Sequence, residues 1–311
     1  MKRKMLNVPK GGYDGMKGFT IVEFLVAGLL SIIVLIAVVS SYFTSRKLND
    51  AANERLAIQQ DLRNAATLIV RDARMAGSFG CFNMSEHTEK DVVFDVAQKN
   101  RPFPLKGSSA NKLIPIAESL NIGYQGFAQV RPALIFQYGI DDVNASAETT
   151  VVSSCGVISK PGKQIPTLED AKKELKIQNS GKEQNGNIAR QRHVVNAYAV
   201  GRIAGEEGLF RFQLDDKGKW GNPQLLVKKV KRMDVRYIYV SGCPEDAGKE
   251  EQFKYTDKFD KSRDAVTPAG VEVLLDSGLD AKIAASSDNS IYAYRINATI
   301  RGGNVCANRT L

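Results

Sequence analysis

The chain has 311 residues, of which 43% are hydrophobic and 25% charged, with a net charge of +9. These proportions are those of a folded protein and exclude a disordered or low-complexity chain. Residues 1–18 hold five basic side chains and one acidic side chain, which is +4, so residues 19–311 carry the remaining +5. The positive charge is therefore partly a targeting feature, because positive charge before a membrane segment stays on the cytoplasmic side.

An apolar segment begins abruptly after Gly18. Residues 19–39 contain one charged residue, Glu23, and a helix of this length rises about 31 Å, close to the hydrocarbon thickness of a bilayer. A small-residue cleavage site at Gly18 precedes the apolar core, whereas a secretory signal is cut after its core. Cleavage there would leave the apolar segment on the mature chain, with everything after Val39 outside the cytoplasm. A plain membrane anchor is the simpler alternative, but a carboxylate inside such a segment costs about 2.5–3.5 kcal/mol.

The basic leader, Gly18, Phe19 and the glutamate at the fifth apolar position together resemble the type III signal of type IV pilins and type II secretion pseudopilins. The resemblance implies that a prepilin peptidase cuts after Gly18 and that the new N-terminus, Phe19, is N-methylated. It also gives Glu23 a role in subunit assembly, in which its carboxylate neutralises the amine of Phe19 on a neighbouring subunit. Two charges that are costly alone in an apolar bundle become tolerable as a pair.

The helix is predicted to continue to Ala76, because residues 40–76 contain neither proline nor glycine, and Gly77 and Gly80 follow. A second, amphipathic half of this spine would pack on an exported domain; an independent coiled coil is the alternative. The predicted division is a leader over 1–18, a spine helix over 19–76 and a globular domain over 77–311. The apolar stripe of the second half comprises Ala51, Ile58, Leu62, Ala65, Ile69 and Ala76.

A second resemblance lies at the end of the spine. Residues 72–81 read Asp-x-Arg-x-Ala-Gly-x-x-Gly-Cys, a run similar to that of the PilW group of minor pilins. Asp72 and Arg74 are expected near the helix end, where the arginine would meet carbonyl oxygens and the negative pole of the helix. A solvated helix face is the alternative for both charges.

Four cysteines in an exported domain predict two disulfides, and four cysteines allow three pairings. We favour Cys81 with Cys155 and Cys243 with Cys306, which gives one bridge to each half of the domain. A zinc site is the less favoured alternative, because no Cys-x-x-Cys pair exists and the histidines lack metal-ligand spacing. We expect neither a metal nor a cofactor.

Beyond Cys81, short β-type runs separated by turn residues predict an α+β fold, in which the spine packs on an antiparallel β-sheet, pilin-like domain with long loop insertions. A hairpin turn is expected at residues 215–218. Lys160–Arg192 and Pro244–Asn289 are interpreted as insertions, the first containing a short helix capped by Thr167. Residues 208–237 and 292–301 resemble a hairpin and two strands of PilW- and GspJ-type proteins. The predicted strands are Val92–Val96, Ala133–Tyr138, Thr150–Ile158, His193–Val200, Leu209–Leu214, Met233–Val240 and Ile291–Ile300.

The chain is predicted not to be an enzyme, because it lacks phosphate-binding glycine loops, a nucleophile elbow and a zinc-protease motif. Nucleic acid is a less favoured partner, and this alternative stays open. The densest basic cluster could contact phosphates, but no aromatic residue is interleaved within it, so a charged turn is the preferred interpretation. This basic cluster comprises Lys228, Lys229, Lys231 and Arg232.

Together the resemblances imply a minor type IV pilin that promotes pilus assembly within a complex at the fibre tip, with roles in pilus-dependent motility and competence. They imply a single-pass inner-membrane precursor with its C-terminal domain in the periplasm. The implied partners are prepilin peptidase, the major pilin, other minor pilins and the inner-membrane assembly platform. Two alternatives stay open, a type II secretion pseudopilin and a pilus-borne adhesin or DNA-uptake receptor.

Overall fold

The structure is a computed structural model that describes residues 18, 20–93, 103, 112–177, 187–242, 252–260, 266–276 and 294–303. The chain forms two compact units, residues 1–57 and 58–311. Helix α1 (Ile21–Met75) begins in the first unit and ends in the second. The predicted spine is thus a helix, beginning two residues later and ending one residue earlier than expected.

In the first unit, every helical residue from Ile21 to Ala57 is exposed. The N-terminal stretch of α1 is long and apolar enough to cross a membrane. Ala51 is among the exposed residues, so its predicted place in the packed stripe is wrong.

In the second unit, the last turns of α1 bury one face. The buried side chains recur every three or four residues, as expected for one stripe of a helix. The helix ends at Gly77, whose φ of 77° favours glycine, and whose N–H donates to the carbonyl of Gln137 at 2.8 Å. The buried residues of α1 are Ile58, Leu62, Ala65, Ile69, Asp72 and Ala73.

The other described residues of the second unit form mostly strands, together with two short 3₁₀ turns (Met84–Glu86 and Glu89–Asp91) and one short helix, α2 (Leu168–Glu174). Thr167 caps α2 as predicted, since its hydroxyl accepts a hydrogen bond from the Asp170 N–H at 3.1 Å. The described strands are β1 (Ser78–Phe79), β2 (Phe82–Asn83), β3 (Val92–Val93), β4 (Ile116–Ser119), β5 (Ala128–Gln129), β6 (Ala133–Ile140), β7 (Thr150–Ser153), β8 (Ile158–Ser159), β9 (Ala189–Ile203), β10 (Glu206–Leu214), β11 (Trp220–Lys228), β12 (Arg232–Gly242), β13 (Gln252–Thr256), β14 (Gly270–Asp276) and β15 (Tyr294–Thr299).

The larger sheet is built around the long strand β9. Its main path runs β11-β10-β9-β7-β8-β3, while β6 pairs with both β9 and β4, and β5 pairs with β9. All of these pairs are antiparallel except β3 with β8. The expected purely antiparallel sheet is therefore corrected to a mixed one. The predicted hairpin is present, since the Asp215 N–H donates to the Lys219 carbonyl at 2.8 Å between β10 and β11.

The smaller sheet has the antiparallel order β13-β12-β14-β15. Strand β14 lies within the segment that the sequence suggested to be an insertion, yet six of its seven residues are buried. Its apolar side chains pack with the buried face of α1 in the main core. The first predicted insertion likewise supplies the start of β9, at Ala189. Both segments therefore contribute to the scaffold.

Candidate functional site

The predicted processing and assembly residues lie at the start of α1. Gly18 is exposed and non-helical, and among the described residues no atom lies within 4 Å of the position that a Cβ would occupy there. Thr20 precedes the helix, and Glu23 lies in its first turn. Phe19, the predicted N-methylated residue, lies outside the described residues.

Glu23 and Thr20 form a capping box. The Glu23 carboxylate accepts hydrogen bonds from the Thr20 backbone N–H at 2.9 Å and from the Thr20 hydroxyl at 3.0 Å. The Glu23 N–H in turn donates to the Thr20 hydroxyl oxygen at 3.3 Å. The two residues thereby satisfy backbone N–H groups that a helix start leaves without intrahelical partners.

The capping box gives Glu23 a second role beside that of a charge in an apolar segment. In the sequence, the carboxylate looks like a charge without a partner inside its own chain. The structure gives it a local partner, and places it in the first turn, where a negative charge interacts favourably with the helix dipole. The signal was present in the sequence, because Thr-x-x-Glu before an apolar run is the pattern of a capping box.

The helix that follows Glu23 presents apolar side chains in every direction. Contiguous exposed apolar surfaces are typical of contacts with membranes or other proteins. The exposed large hydrophobic residues on either side of Glu23 in α1 include Ile21, Val22, Phe24, Leu25, Leu29, Leu30, Ile32, Ile33, Leu35, Ile36, Val38, Tyr42 and Phe43.

The second site is a polar network around Asp72 in the interior of the second unit. The carboxylate is 0% exposed. One of its oxygens accepts from the hydroxyl of Tyr138 at 2.9 Å. The other accepts from the hydroxyl of Tyr198 at 2.7 Å and the side-chain amide of Asn196 at 2.8 Å.

Two arginines complete the Asp72 network. The Arg71 guanidinium donates to the first carboxylate oxygen at 3.1 and 3.2 Å and is half exposed. The Arg211 guanidinium lies 3.8 Å from the second oxygen and is largely buried. A buried carboxylate is tolerated only when paired and hydrogen-bonded, and here neutral donors and two cations surround it.

The electrostatics of the network keep its tyrosines protonated. Burial, followed by the charge of Asp72, raises the pKa of Tyr138 to about 12. The same causes, in the same order, raise the pKa of Tyr198 further. Both phenols therefore stay protonated to a higher pH than an ordinary tyrosine, and they can donate hydrogen bonds to the carboxylate over that range.

The network ties the last turns of α1 to strands β6, β9 and β10. The sequence suggested a role for Asp72 and Arg74 at the helix end, or a solvated face. Arg74 is exposed, but the solvated alternative is wrong for Asp72. Sequence reasoning missed its partners because Tyr138, Asn196 and Tyr198 lie 66, 124 and 126 positions away.

The predicted Cys81–Cys155 disulfide is formed in the structure. It follows β1 and joins the exit of α1 to the turn between β7 and β8. Nearby, the Ser153 hydroxyl donates to the Phe79 carbonyl at 2.7 Å. The predicted partners Cys243 and Cys306 lie outside the described residues.

Both histidines contact other side chains of the fold. His193 is buried, with its Nε2 3.0 Å from the Gln137 side-chain oxygen, and the ring of His87 stacks on Phe82. Within the ranges that the structure describes, no three His, Cys, Asp or Glu residues are arranged to hold a metal ion.

The basic cluster has acidic neighbours. Lys228 lies 3.7 Å from Glu206, and Arg232 lies 2.5 Å from Asp234. These carboxylates partly neutralise the positive charge of the cluster.

Comparisons of the chain with protein-family models, with curated proteins and with solved structures give no match.

Proposed function

We propose that the chain is a minor type IV pilin of the PilW kind, similar to neisserial PilJ, and that it promotes pilus assembly as part of a tip complex. The observation that carries the proposal is the segment from Gly18 to Glu23. It joins a basic leader to an apolar helix that is exposed all round, and cleavage at Gly18 would retain this helix on the mature chain.

The difference between the exposed and the packed part of α1 supports the proposal. From Ile21 to Ala57 the helix has no buried residue, which suits a segment that lies in lipid and later in a bundle of helices. From Ile58 onward it packs into the core of a β-rich domain. The inner membrane would hold the precursor, with the β-rich domain on the periplasmic side.

Assembly would transfer the apolar segment from lipid into a helix bundle. Glu23 and the amine of Phe19 on an adjoining subunit would set the stagger between helices, since each charge is tolerated in the bundle only beside the other. The Asp72 network would keep the last turns of α1 fixed to the sheets while the apolar segment moves.

Deletion of the chain, with surface pili counted in strains able and unable to retract pili, tests this function. We expect few or no pili in the retracting strain and partial recovery in the non-retracting one. Normal pili with a defect in protein secretion would instead indicate a type II pseudopilin. Normal pili with lost adhesion or DNA uptake would indicate a receptor carried on a pilin helix.

A further inference from the structure

A groove lined by arginines lies on the surface of the second unit. It measures about 610 Å³ and is formed by the exposed side of the last turns of α1 and by Tyr294 of β15. None of its lining residues is acidic. Its lining comprises Arg63, Ala66, Thr67, Val70, Arg71, Arg74, Met75 and Tyr294.

The groove combines an apolar strip with cations. Ala66, Val70 and Tyr294 are half-buried and pack against the main core, whereas the arginine side chains are exposed. Within the part of the chain that the structure describes, neither Arg63 nor Arg74 has an ion-pair or hydrogen-bond partner for its side chain. Two guanidinium groups are thus available beside the apolar strip.

The spacing of the arginines defines the shape of a complementary ligand. Arg63 and Arg74 are 11 residues apart, which is about 16 Å along the helix, and Arg71 lies about one turn before Arg74. A single small anion would engage only one end of such an array. An extended ligand with carboxylates about three helical turns apart and apolar side chains between them would engage both ends.

We propose that this groove binds an acidic amphipathic helix of another protein. Its aspartate or glutamate residues would pair with Arg63 and Arg74, while its small apolar residues lie against Ala66 and Val70. Arginine suits this role, because its planar guanidinium binds carboxylates through two hydrogen bonds. The inference goes beyond the proposed function, since the groove and its charges are the same whether the chain serves a pilus or another assembly.

A photocrosslinking amino acid at Thr67, in the full chain produced in its native cells, tests the proposal. Thr67 is exposed and lies between the two free arginines. Mass spectrometry should identify one crosslinked peptide from a different protein, with carboxylates about 11 positions apart on a helix. Arg63→Glu with Arg74→Glu should lower the crosslink yield about tenfold, because the paired charges become repulsive.

Two controls keep the result interpretable. Lys217→Glu with Lys219→Glu makes the same change of charge in the exposed β10–β11 turn and should leave the yield unchanged. Unaltered Trp220 fluorescence of the arginine variant would show that the fold is intact, and Arg63→Gln with Arg74→Gln provides a milder second variant. Lysines in place of the partner's carboxylates should restore crosslinking to the glutamate variant.

The proposal would be overturned by a crosslink to lipid, to a second copy of the chain, to the chain itself or to a segment without acidic residues. A yield unaffected by the arginine substitutions would also overturn it, as would a yield no higher than the background. Pilus counts in the deletion strain are a separate readout, so failure of this proposal and failure of the proposed function can be told apart.

Discussion

The two parts of α1 reverse the usual distribution of side chains. In the first unit, apolar residues such as Ile33 and Leu35 are more than half exposed. In the second unit, the same helix buries a carboxylate, Asp72, at 0% exposure. The apolar side chains of the first part are not covered by any of the described residues, whereas Asp72 in the second part is surrounded by partners from its own sheets.

The largest effect that tests this contrast is expected at Gly18. Gly18→Val should abolish leader removal, because the proposed peptidase requires a small residue at this position. The described residues leave room for a valine side chain there, so a steric effect on the fold is not expected. Intact mass of the chain purified from membranes measures leader removal. Gly28→Ala is the matched control, since its position is equally open, and it should be processed normally. A mature mass in the Gly18 variant would refute the cleavage site.

The next effect is expected at Asp72. Asp72→Ala should lower the free energy of unfolding by about 3–5 kcal/mol, because it leaves the buried Arg211 without its partner and two buried phenols without an acceptor. Urea unfolding of the full chain in detergent, followed by fluorescence of the single tryptophan, Trp220, measures it. Asp50→Ala on the exposed part of α1 should change stability by less than about 0.5 kcal/mol. Equal losses of stability for Asp72→Ala and Asp50→Ala would contradict the difference described between the two parts of α1.

Substitutions at Glu23 and Thr20 can separate the effect of the capping hydrogen bonds from the effect of the negative charge. Glu23→Ala should lower pilus number roughly tenfold without blocking cleavage, because the amine of Phe19 would lose its charge partner. Glu23→Gln keeps a hydrogen-bond acceptor for Thr20 but no charge, and should assemble as poorly. Thr20→Ala removes the hydroxyl of the capping box but keeps the charge, and should assemble nearly normally. If Glu23→Gln instead assembled nearly normally and Thr20→Ala assembled poorly, Glu23 would act only as a helix cap.

A smaller effect is expected in alkaline solution. A tyrosine in the unfolded chain titrates near pH 10, whereas the pKa of Tyr138 is raised to about 12. The folded chain holds this proton more tightly, so the stability gained is complete below pH 10 and is lost as the pH rises to 12.

Tyr138→Phe should therefore reduce the loss of stability between pH 10 and 12 by about 1 kcal/mol, a value lowered for solvent screening. Tyr255→Phe, at an exposed site on β13, serves as the control and should leave the pH dependence as it is. Urea unfolding at several pH values compares them, and identical curves for Tyr138→Phe and the unaltered chain would contradict the described network.

Local signals predicted the parts of the fold that depend on neighbouring residues. Gly77 at the helix end, Thr167 as the cap of α2 and the turn after Leu214 are all read from a few adjacent positions. The signal for the start of α1 also lies in a few adjacent residues. The Thr20–Glu23 cap was missed because the glutamate was considered only as a charge in an apolar segment.

The features that sequence reasoning missed depend on distant residues. Strand β14 has a glutamate, Glu272, among its apolar residues; that charge is accommodated by Arg236 and Arg295 on the neighbouring strands. Asp72 likewise looks like a surface charge until β6 and β9 bring two tyrosines and an asparagine to it. Pairings between residues that are this far apart along the chain are not encoded in any local pattern, so only the fold reveals them.

If the chain is a pilin, the apolar part of α1 remains on the mature protein after the leader is removed. Intact mass and N-terminal sequencing of the full chain, isolated from the cell envelope and from sheared surface fibres, measure this. We expect a chain that begins at an N-methylated Phe19 in both fractions. A chain that begins at Met1, or one cut after the apolar segment, would contradict it.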